Sequence, residues 1–479
     1  MNVLLASMEV SPFAKVGGLA DVAGSLPKAL HDLGVDIRVV MPKHLSVQRF
    51  ASELSRVPHD VEVMMPARVS GCGVDEGRLP NSDVPVYFIE HHDYFTREGI
   101  YGPPGGAYSD NLERLSFFCR AAMAFPQVIG WEPDVFHLND WHTSLIAAYV
   151  KSWGLGQGTL FTGHNLGGAY QGVFPESQIG TTGLDLANPR SSQYTGNGLL
   201  NLARLGLVYS DLINVVSEGY AREIESPEQG AGVDDLVLER RADVKGILNG
   251  IDYDEWSPTT DRTLPANFGP KDLAGKAICK AKAQEYFGLP VDPSVPLMTM
   301  ITRLDAQKGF DLVAEALPGF DGFQFAVLGT GDPRFEQMLT SAATRPNIAA
   351  HIGFDPKLAR LIYAGSDMFL MPSRYEPCGL GQMIALAYGT VPIVRATGGL
   401  ADTITEEGKK PNGFSFEEYT TAAMVAAIQR AVAAYGDPTT WSKLVADAFA
   451  CDFSWNVSAK RYVKLYEAAA KRGARRAKA

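Results

Sequence analysis

The pentapeptide Gly17-Gly18-Leu19-Ala20-Asp21 returns near the other end of the chain as Gly398-Gly399-Leu400-Ala401-Asp402. Each copy follows a β-type run, residues 3–7 or 391–395, and opens a helical stretch. A glycine pair there lets a ligand approach the backbone, and a helix start offers N–H groups and the positive end of a dipole. Two such turns in two halves predict a nucleotide-type ligand and a second polar ligand held between two α/β domains. Two coincident βα turns are the plainer reading, since glycine is a routine turn residue. The residues around both copies weigh against it.

Working outward, the first half alternates β-type runs (3–7, 37–41, 84–90, 135–138, 159–162 and 212–216) with amphipathic helical patterns such as 20–33 and 112–124. The second half repeats the scheme with runs at 297–302, 324–328, 349–352, 368–371 and 391–394. Strands alternating with helices imply parallel sheets covered on both faces. At 479 residues the chain is too long for one core. Residues 251 to about 295, rich in Pro, Asp and Lys, read as a linker plus a first helix, and no solenoid period is present. In open parallel sheets ligands sit at the carboxyl ends of the strands, and nearly every unusual residue falls just after a strand.

Composition narrows the function. It is that of a soluble globular protein, 46% hydrophobic and 20% charged, and no apolar run is long enough to span a membrane. The net charge of −11 argues against nucleic acid, so an anionic ligand must meet local positive charge. Met1-Asn2 leads straight into a strand with no secretory pattern. The five cysteines, Cys72, Cys119, Cys279, Cys378 and Cys451, are scattered, which fits a reducing cytoplasm and gives no zinc pattern. The basic cluster Lys471, Arg472, Arg475, Arg476 and Lys478 reads as a solvated helix end favoured by the dipole.

Three segments carry the chemistry. Lys15, just before the first glycine pair, suits a phosphate at the mouth of a sheet. Arg303-Leu304-Asp305-Ala306-Gln307-Lys308-Gly309 follows a buried strand and sets two cations, Arg303 and Lys308, on one turn. Two fixed cations neutralise a diphosphate leaving group without a metal ion. In Ser373-Arg374-Tyr375-Glu376-Pro377-Cys378-Gly379-Leu380, a proline and a glycine-rich helix start hold the Glu376 carboxylate rigidly, where it would stabilise positive charge developing on a substrate. Cys378 reads as a packing residue. His137, Asn139, Asp140 and His142, and then His164 and Asn165, end two strands of the first half, and their spacing matches no usual zinc pattern. Asp252-Tyr253-Asp254 resembles a metal-binding DxD but follows the turn signal Asn249-Gly250 and reads as linker. Gly329-Thr330-Gly331 is only half of a dinucleotide fingerprint.

Taken together the motifs resemble the bacterial glycogen synthases and plant-type starch synthases that use ADP-glucose. The matching pieces are Lys15 to Val22, Asn139 to His142, His164-Asn165, Gly246 to Asp252, Arg303-Leu304 with Gln307 to Gly309, Glu376 to Leu380, and Thr397 to Asp402. They are collinear from residue 3 to about 456. The resemblance implies a GT-B fold, two Rossmann-like doubly wound parallel-sheet domains with the active site in the interdomain cleft. It implies an acceptor-side domain 1–250, a nucleotide-sugar domain 251–455, and a helix 456–479 returning to the first domain. It implies retaining transfer of glucose from ADP-glucose to the non-reducing end of an α-1,4-glucan such as glycogen, in the cytoplasm, with neither metal nor pyridoxal phosphate. Carried over by position, Arg303 and Lys308 bind the diphosphate and Lys15 approaches it from the other domain. Glu376 is the essential carboxylate, as nucleophile or as charge stabiliser. His164 and Asp140 contact the glucose and the reacting centre. Thr397, Gly398, Gly399 and Leu400 line the phosphate and sugar side. Gly17, Gly18, Asp21, Tyr375, Cys378, Gly379 and Leu380 belong to the substrate-binding set, with Tyr94, Asn165 and Asn249 more loosely attached.

There are departures from the family pattern. The family runs from His-Asn-Leu directly into Ala-Tyr-Gln-Gly, whereas Gly167-Gly168 intervene here, an insertion expected to loosen the loop after His164. Ile384 stands where the wider superfamily often has a second Glu, in agreement with glycogen and starch synthases. A silent glucan binder on the same fold has no need of the Lys15, Arg303, Lys308 and Glu376 set. A pyridoxal-phosphate phosphorylase finds no support in the sequence. Oligomeric state and the choice of ADP-glucose over UDP-glucose are not marked by any motif.

Overall fold

The run Val3-Leu4-Leu5-Ala6 is fully buried because it forms the middle strand of a parallel sheet. In the computed structural model, which describes residues 1–103 and 105–478, the chain divides into two units. One comprises Met1–Gly250 with the C-terminal residues from Trp455 onward, the other Ile251–Ser454. The first unit's strands are β1 (Asn2–Ala6), β2 (Asp36–Pro42), β3 (Ser55–Arg56), β4 (Val61–Met64), β5 (Val69–Arg78), β6 (Pro85–Glu90), β7 (Val135–Asn139) and β8 (Gly158–Gly163). They continue with β9 (Val173–Pro175), β10 (Thr195–Gly196), β11 (Leu199–Asn201), β12 (Leu212–Val215) and β13 (Val244–Gly246). The main sheet runs β13-β12-β8-β7-β1-β2-β6-β5-β3, with β4 paired to β5, while β9, β10 and β11 make a small separate sheet.

From β13 to β6 every pairing is parallel, with Val3 opposite Ile37 on one side and Val135 on the other. The chain first builds outward from β1 through β2 to β6, then returns to the far side of β1 with β7. The loops after β1 and β7 therefore flank the point where strand order reverses, the place where such sheets take their ligands.

The second unit repeats this logic with β14 (Leu297–Ile301), β15 (Gln324–Gly329), β16 (Ile348–Ile352), β17 (Met368–Met371), β18 (Val391–Arg395) and β19 (Phe414–Phe416). Its order is β16-β15-β14-β17-β18-β19, parallel throughout. Here the reversal lies between β14 and β17, so the loops after those two strands face each other. Its core is the apolar set of these strands, for example Met298, Phe325, Met368 and Ile393, against the helices Phe310–Ala316 and Thr421–Tyr435.

One region the sequence left unread takes shape, and one reading changes. The antiparallel extension β3 to β5 was not expected, because Gly71, Gly73, Asp75 and Glu76 give the segment the look of a turn. Asp75 is buried there, paired with Lys43 at 2.5 Å and Arg56 at 3.3 Å. The basic C-terminus is not simply solvated. Arg476 ion-pairs with Asp211 at 2.8 Å and Arg472 with Asp243 at 2.7 Å, which ties the helix Trp455–Arg476 to the first unit. Deeper along this helix, the Tyr466 hydroxyl meets His137 Nδ1 at 2.9 Å and that of Tyr462 meets the Asn214 amide at 2.8 Å.

Candidate active site

In the second unit the loop after β14 is built to present a lysine. Asp305 accepts the Lys308 backbone N–H at 3.0 Å and closes the turn Ala306–Lys308. Gly309 follows at φ +80°, and a Cβ there would stand 2.1 Å from the Pro372 carbonyl oxygen, so only glycine lets this loop touch the one after β17. The Arg374 N–H donates to the Gln307 carbonyl at 2.8 Å and fixes the pair. The outcome is an ion pair of 2.6 Å between Lys308 Nζ and Glu376 Oε2, with both side chains largely buried. The Ser373 hydroxyl donates to the same carboxylate oxygen at 3.1 Å.

The second glycine pair frames this centre from behind. The Gly399 N–H donates to the Glu376 carbonyl at 3.1 Å, and a Cβ on Gly399 would meet the Cys378 carbonyl oxygen at 2.1 Å. Thr397, Cys378 and Leu400 are buried, so Cys378 and Leu400 give the site backbone and packing. The Gln382 amide nitrogen braces both loops, donating to the carbonyls of Cys378 and Gly379 and to the Thr403 hydroxyl. Arg303 is half-exposed, its guanidinium 3.4 Å from both Asp305 and Gln307. Tyr375 accepts from the Gln307 amide through its carbonyl at 3.4 Å. The Gly331 N–H is taken by Glu336 at 2.9 Å, which explains the incomplete fingerprint as a closed turn. Phe354, just past β16, is 81% exposed.

In the first unit the Asp140 turn follows β7. Asp140 has φ +58° and ψ 176°, a region that side chains avoid and that tends to mark functional turns. It is held there by its N–H to the Thr162 carbonyl at 2.9 Å and by its Oδ1, which accepts the His164 N–H at 2.7 Å. Burial pushes the Asp140 carboxyl up to about 7, against the backbone hydrogen bonds from His164 and Asn165. His164 Nε2 pairs with Asn139 Oδ1 at 2.9 Å, and burial pushes its imidazole down to about 3. Asn165 Oδ1 accepts the Gly167 N–H at 2.9 Å, so the additional glycines start a defined turn, Gly168–Tyr170. His142 is packed between Trp141 and Tyr101. His137 is a structural residue under the last helix.

The glycine turn after β1 differs from its twin. Lys15 pairs with Asp21 at 2.6 Å, and nothing lies within 4 Å of a Cβ placed on Gly17. The N–H groups of Val16 and Gly17 are already taken, by Glu9 Oε2 at 2.5 and 2.9 Å. The helix itself starts at Gly18, so these two donors lie just ahead of the N–H groups that the reading of the sequence had offered to a ligand. Glu9, Tyr101, Ser373, Gln382 and Phe354 escaped that reading. A lone acid inside the apolar run Met8-Glu9-Val10, three residues past a central strand, is the signal that marks Glu9, though not its partners. Tyr94 and Asn249 stand apart. Tyr94 is buried with its hydroxyl on Glu113 and Arg68, and Asn249 is buried past β13. Among the described residues neither shares a hydrogen bond or ring contact with Lys15, Asp140 or His164.

Comparison with known proteins places the whole chain in a family. Residues 2–239 match the family model of the starch synthase catalytic domain, and residues 283–443 that of glycosyl transferases group 1. The chain is 47% identical to a glycogen synthase of Syntrophotalea carbinolica, over 98% of this chain and 99% of that one. It is 42% identical to glycogen synthase 2 of Geobacter sulfurreducens, over 98% and 99%. Among solved structures, the catalytic domain of Arabidopsis thaliana starch synthase IV, bound to ADP and acarbose, matches with a TM-score of 0.88 and 32% identity over 98% of this chain and 99% of that one. A sucrose-phosphate synthase of Thermosynechococcus elongatus, 19% identical with a TM-score of 0.60 over 98% of each chain, shares the fold. With a GT-B architecture and full-length kinship to these enzymes, the chain belongs to the glycogen and starch synthase family of glycosyltransferases.

Proposed function

We propose that the protein transfers glucose, with retention at the anomeric carbon, from ADP-glucose to the non-reducing end of an α-1,4-glucan, and that it needs no metal ion. The observation that carries this reading is the Lys308–Glu376 pair, 2.6 Å apart where strand order reverses in the second unit. In the reaction the bond from the glucose anomeric carbon to the β-phosphate oxygen breaks. A bond to the acceptor's 4-oxygen forms, and the proton of that hydroxyl passes to the departing phosphate oxygen of ADP. Negative charge grows on the diphosphate while the sugar passes through an oxocarbenium-like state.

Lys308 and Arg303 meet the first change and Lys15 adds to them, fixed cations doing what a metal does elsewhere. Glu376, braced by Ser373 and by its backbone bond from Gly399, meets the second. Asp140 and His164 act on the sugar and the reacting centre. His164 is neutral at physiological pH, and so serves as a hydrogen-bonding group and not as a cation. Phe354, 81% exposed at the carboxyl end of β16, offers the flat apolar face that stacks on a nucleobase. Among the described residues no helix is long and apolar enough to cross a membrane.

The test is incorporation of radiolabelled glucose into glycogen from ADP-glucose and, separately, UDP-glucose, with EDTA present throughout. Incorporation from ADP-glucose, unchanged by EDTA, is expected. Incorporation from neither donor would overturn the reading.

A further inference from the structure

Glu9 is 4% exposed and lies three residues past the end of β1. One of its two carboxylate oxygens is directed at the segment that carries Lys15. One carboxylate oxygen accepts from Val16 N at 2.5 Å and Gly17 N at 2.9 Å, and the other accepts the Tyr101 hydroxyl at 2.5 Å. Tyr101 also stacks on His142, in the turn that begins with Asp140, with ring centroids 4.8 Å apart. It is itself anchored, since its carbonyl accepts from the Asn111 amide at 2.9 Å and the Tyr108 N–H at 3.2 Å. Three separate chain segments, the loop after β1, the turn after β7 and the stretch before the helix Asn111–Val128, thus meet at one carboxylate and one phenol.

We propose that Glu9 is the positioning residue of the Lys15–Gly18 loop. Its carboxylate, locked by Tyr101, fills the Val16 and Gly17 N–H positions of the loop from inside the protein. The loop is thereby preformed, and Lys15 is held in a set relation to the Asp140 turn before any substrate arrives. An internal anion that already satisfies these donors removes the cost of ordering a glycine-rich segment during binding. Burial, which keeps the Glu9 carboxyl above its ordinary range, favours a role as hydrogen-bond hub over one as a free charge. Glutamine suits that role equally well. Its carbonyl oxygen can accept both N–H groups while its amide donates to the Tyr101 oxygen.

The inference rests on the proposed glucosyl transfer for its kinetic arm, and an arm independent of activity accompanies it. Glu9→Ala, Glu9→Gln and wild type are compared by steady-state transfer from ADP-glucose and by amide hydrogen exchange at residues 16 and 17. Expected for Glu9→Ala are fast exchange at both amides and a KM for ADP-glucose raised about tenfold or more, with kcat changed far less. Glu9→Gln should restore both protection and KM. A Glu9→Gln variant whose KM is raised as in Glu9→Ala but whose amides are still protected would mean the charge itself is used, and would overturn positioning. An unchanged KM in Glu9→Ala would overturn it as well.

Should Glu9→Ala not fold, Glu9→Asp keeps the charge but shortens the arm by one methylene, and it must show the same raised KM and lost protection. A wild type that transfers no glucose sinks the functional reading alone. The exchange measurement then still decides whether Glu9 braces the loop.

Discussion

Lys308 and Glu376 are each other's nearest opposite charge, with side chains 17% and 8% exposed, so removing either leaves a half-dry charge behind. Lys308→Ala should weaken ADP binding by about 1.5–3 kcal/mol, the worth of a charge-assisted hydrogen bond. Calorimetric titration with ADP checks this, and unchanged affinity would take Lys308 out of the diphosphate site. Glu376→Gln should lose transfer and keep ADP affinity. At Asp140 the sign of the pH effect is opposite to the usual one for a carboxylate. Its folded value of about 7 lies above the ordinary 3.8, so the native state keeps a proton that the unfolded chain has lost between those limits. Stability therefore falls as pH rises through that window and is level above it. Asp140→Asn should accordingly be more stable than wild type at pH 8, by on the order of 2 kcal/mol, with no gain at pH 4 and much reduced transfer. Denaturant titrations at the two pH values decide this. Lys15, Arg303, Lys308 and Glu376 stood out in the sequence as candidates because charged residues just after buried strands in glycine-rich turns have few structural reasons to be there, and the structure brings Lys308 and Glu376 together. Glu9 did not, because a single acid in an apolar run reveals its partners, backbone N–H groups seven and eight residues on, only once the loop has closed.

The two copies of Gly-Gly-Leu-Ala-Asp look alike in sequence and differ in packing. In the second, the leading Gly398 stands at φ +47° and Gly399 is pressed against the Cys378 carbonyl, while in the first the leading Gly17 is at φ −139° and a Cβ on it has room. Gly399→Ala should therefore cost about 2 kcal/mol of stability and loosen the Glu376 loop, whereas Gly17→Ala should cost less than about 0.5 kcal/mol. Equal losses in thermal unfolding of the two variants would refute the packing argument. Most strands of both sheets were readable to within a residue or two. The segment 368–371, for example, is an apolar run bounded by polar turns and buried on both faces. The hairpin region 55–78 was unreadable because its burial depends on Lys43 and Arg56 neutralising Asp75, a long-range pairing that local pattern cannot announce. Likewise the short strands β9 to β11 carry no period of their own.

Across the whole molecule the histidines are unevenly placed. Burial pushes His44 down to about 4 and His137, His142 and His164 to about 3, and all four belong to the first unit. Each is neutral when folded and gains a proton on unfolding, so their contribution is complete above pH 6.5 and is lost as pH falls toward 4. The first unit should therefore yield to acid before the second, with a slope reporting uptake of several protons. Hydrogen exchange resolved by peptide at pH 5 would show peptides of residues 135–165 opening ahead of those of 297–395, and simultaneous opening would refute it. The two-fold repetition of doubly wound sheets was evident in the order of strands and helices. The last helix carries a further consequence, for synthesis. The first unit takes that helix from beyond residue 454, so on the ribosome it waits while about 200 residues of the second unit are made, roughly 10–40 s at ordinary elongation rates. During that interval the His137 imidazole and the Asn214 amide lack Tyr466 and Tyr462. The half of the enzyme that is begun first is the half that is finished last.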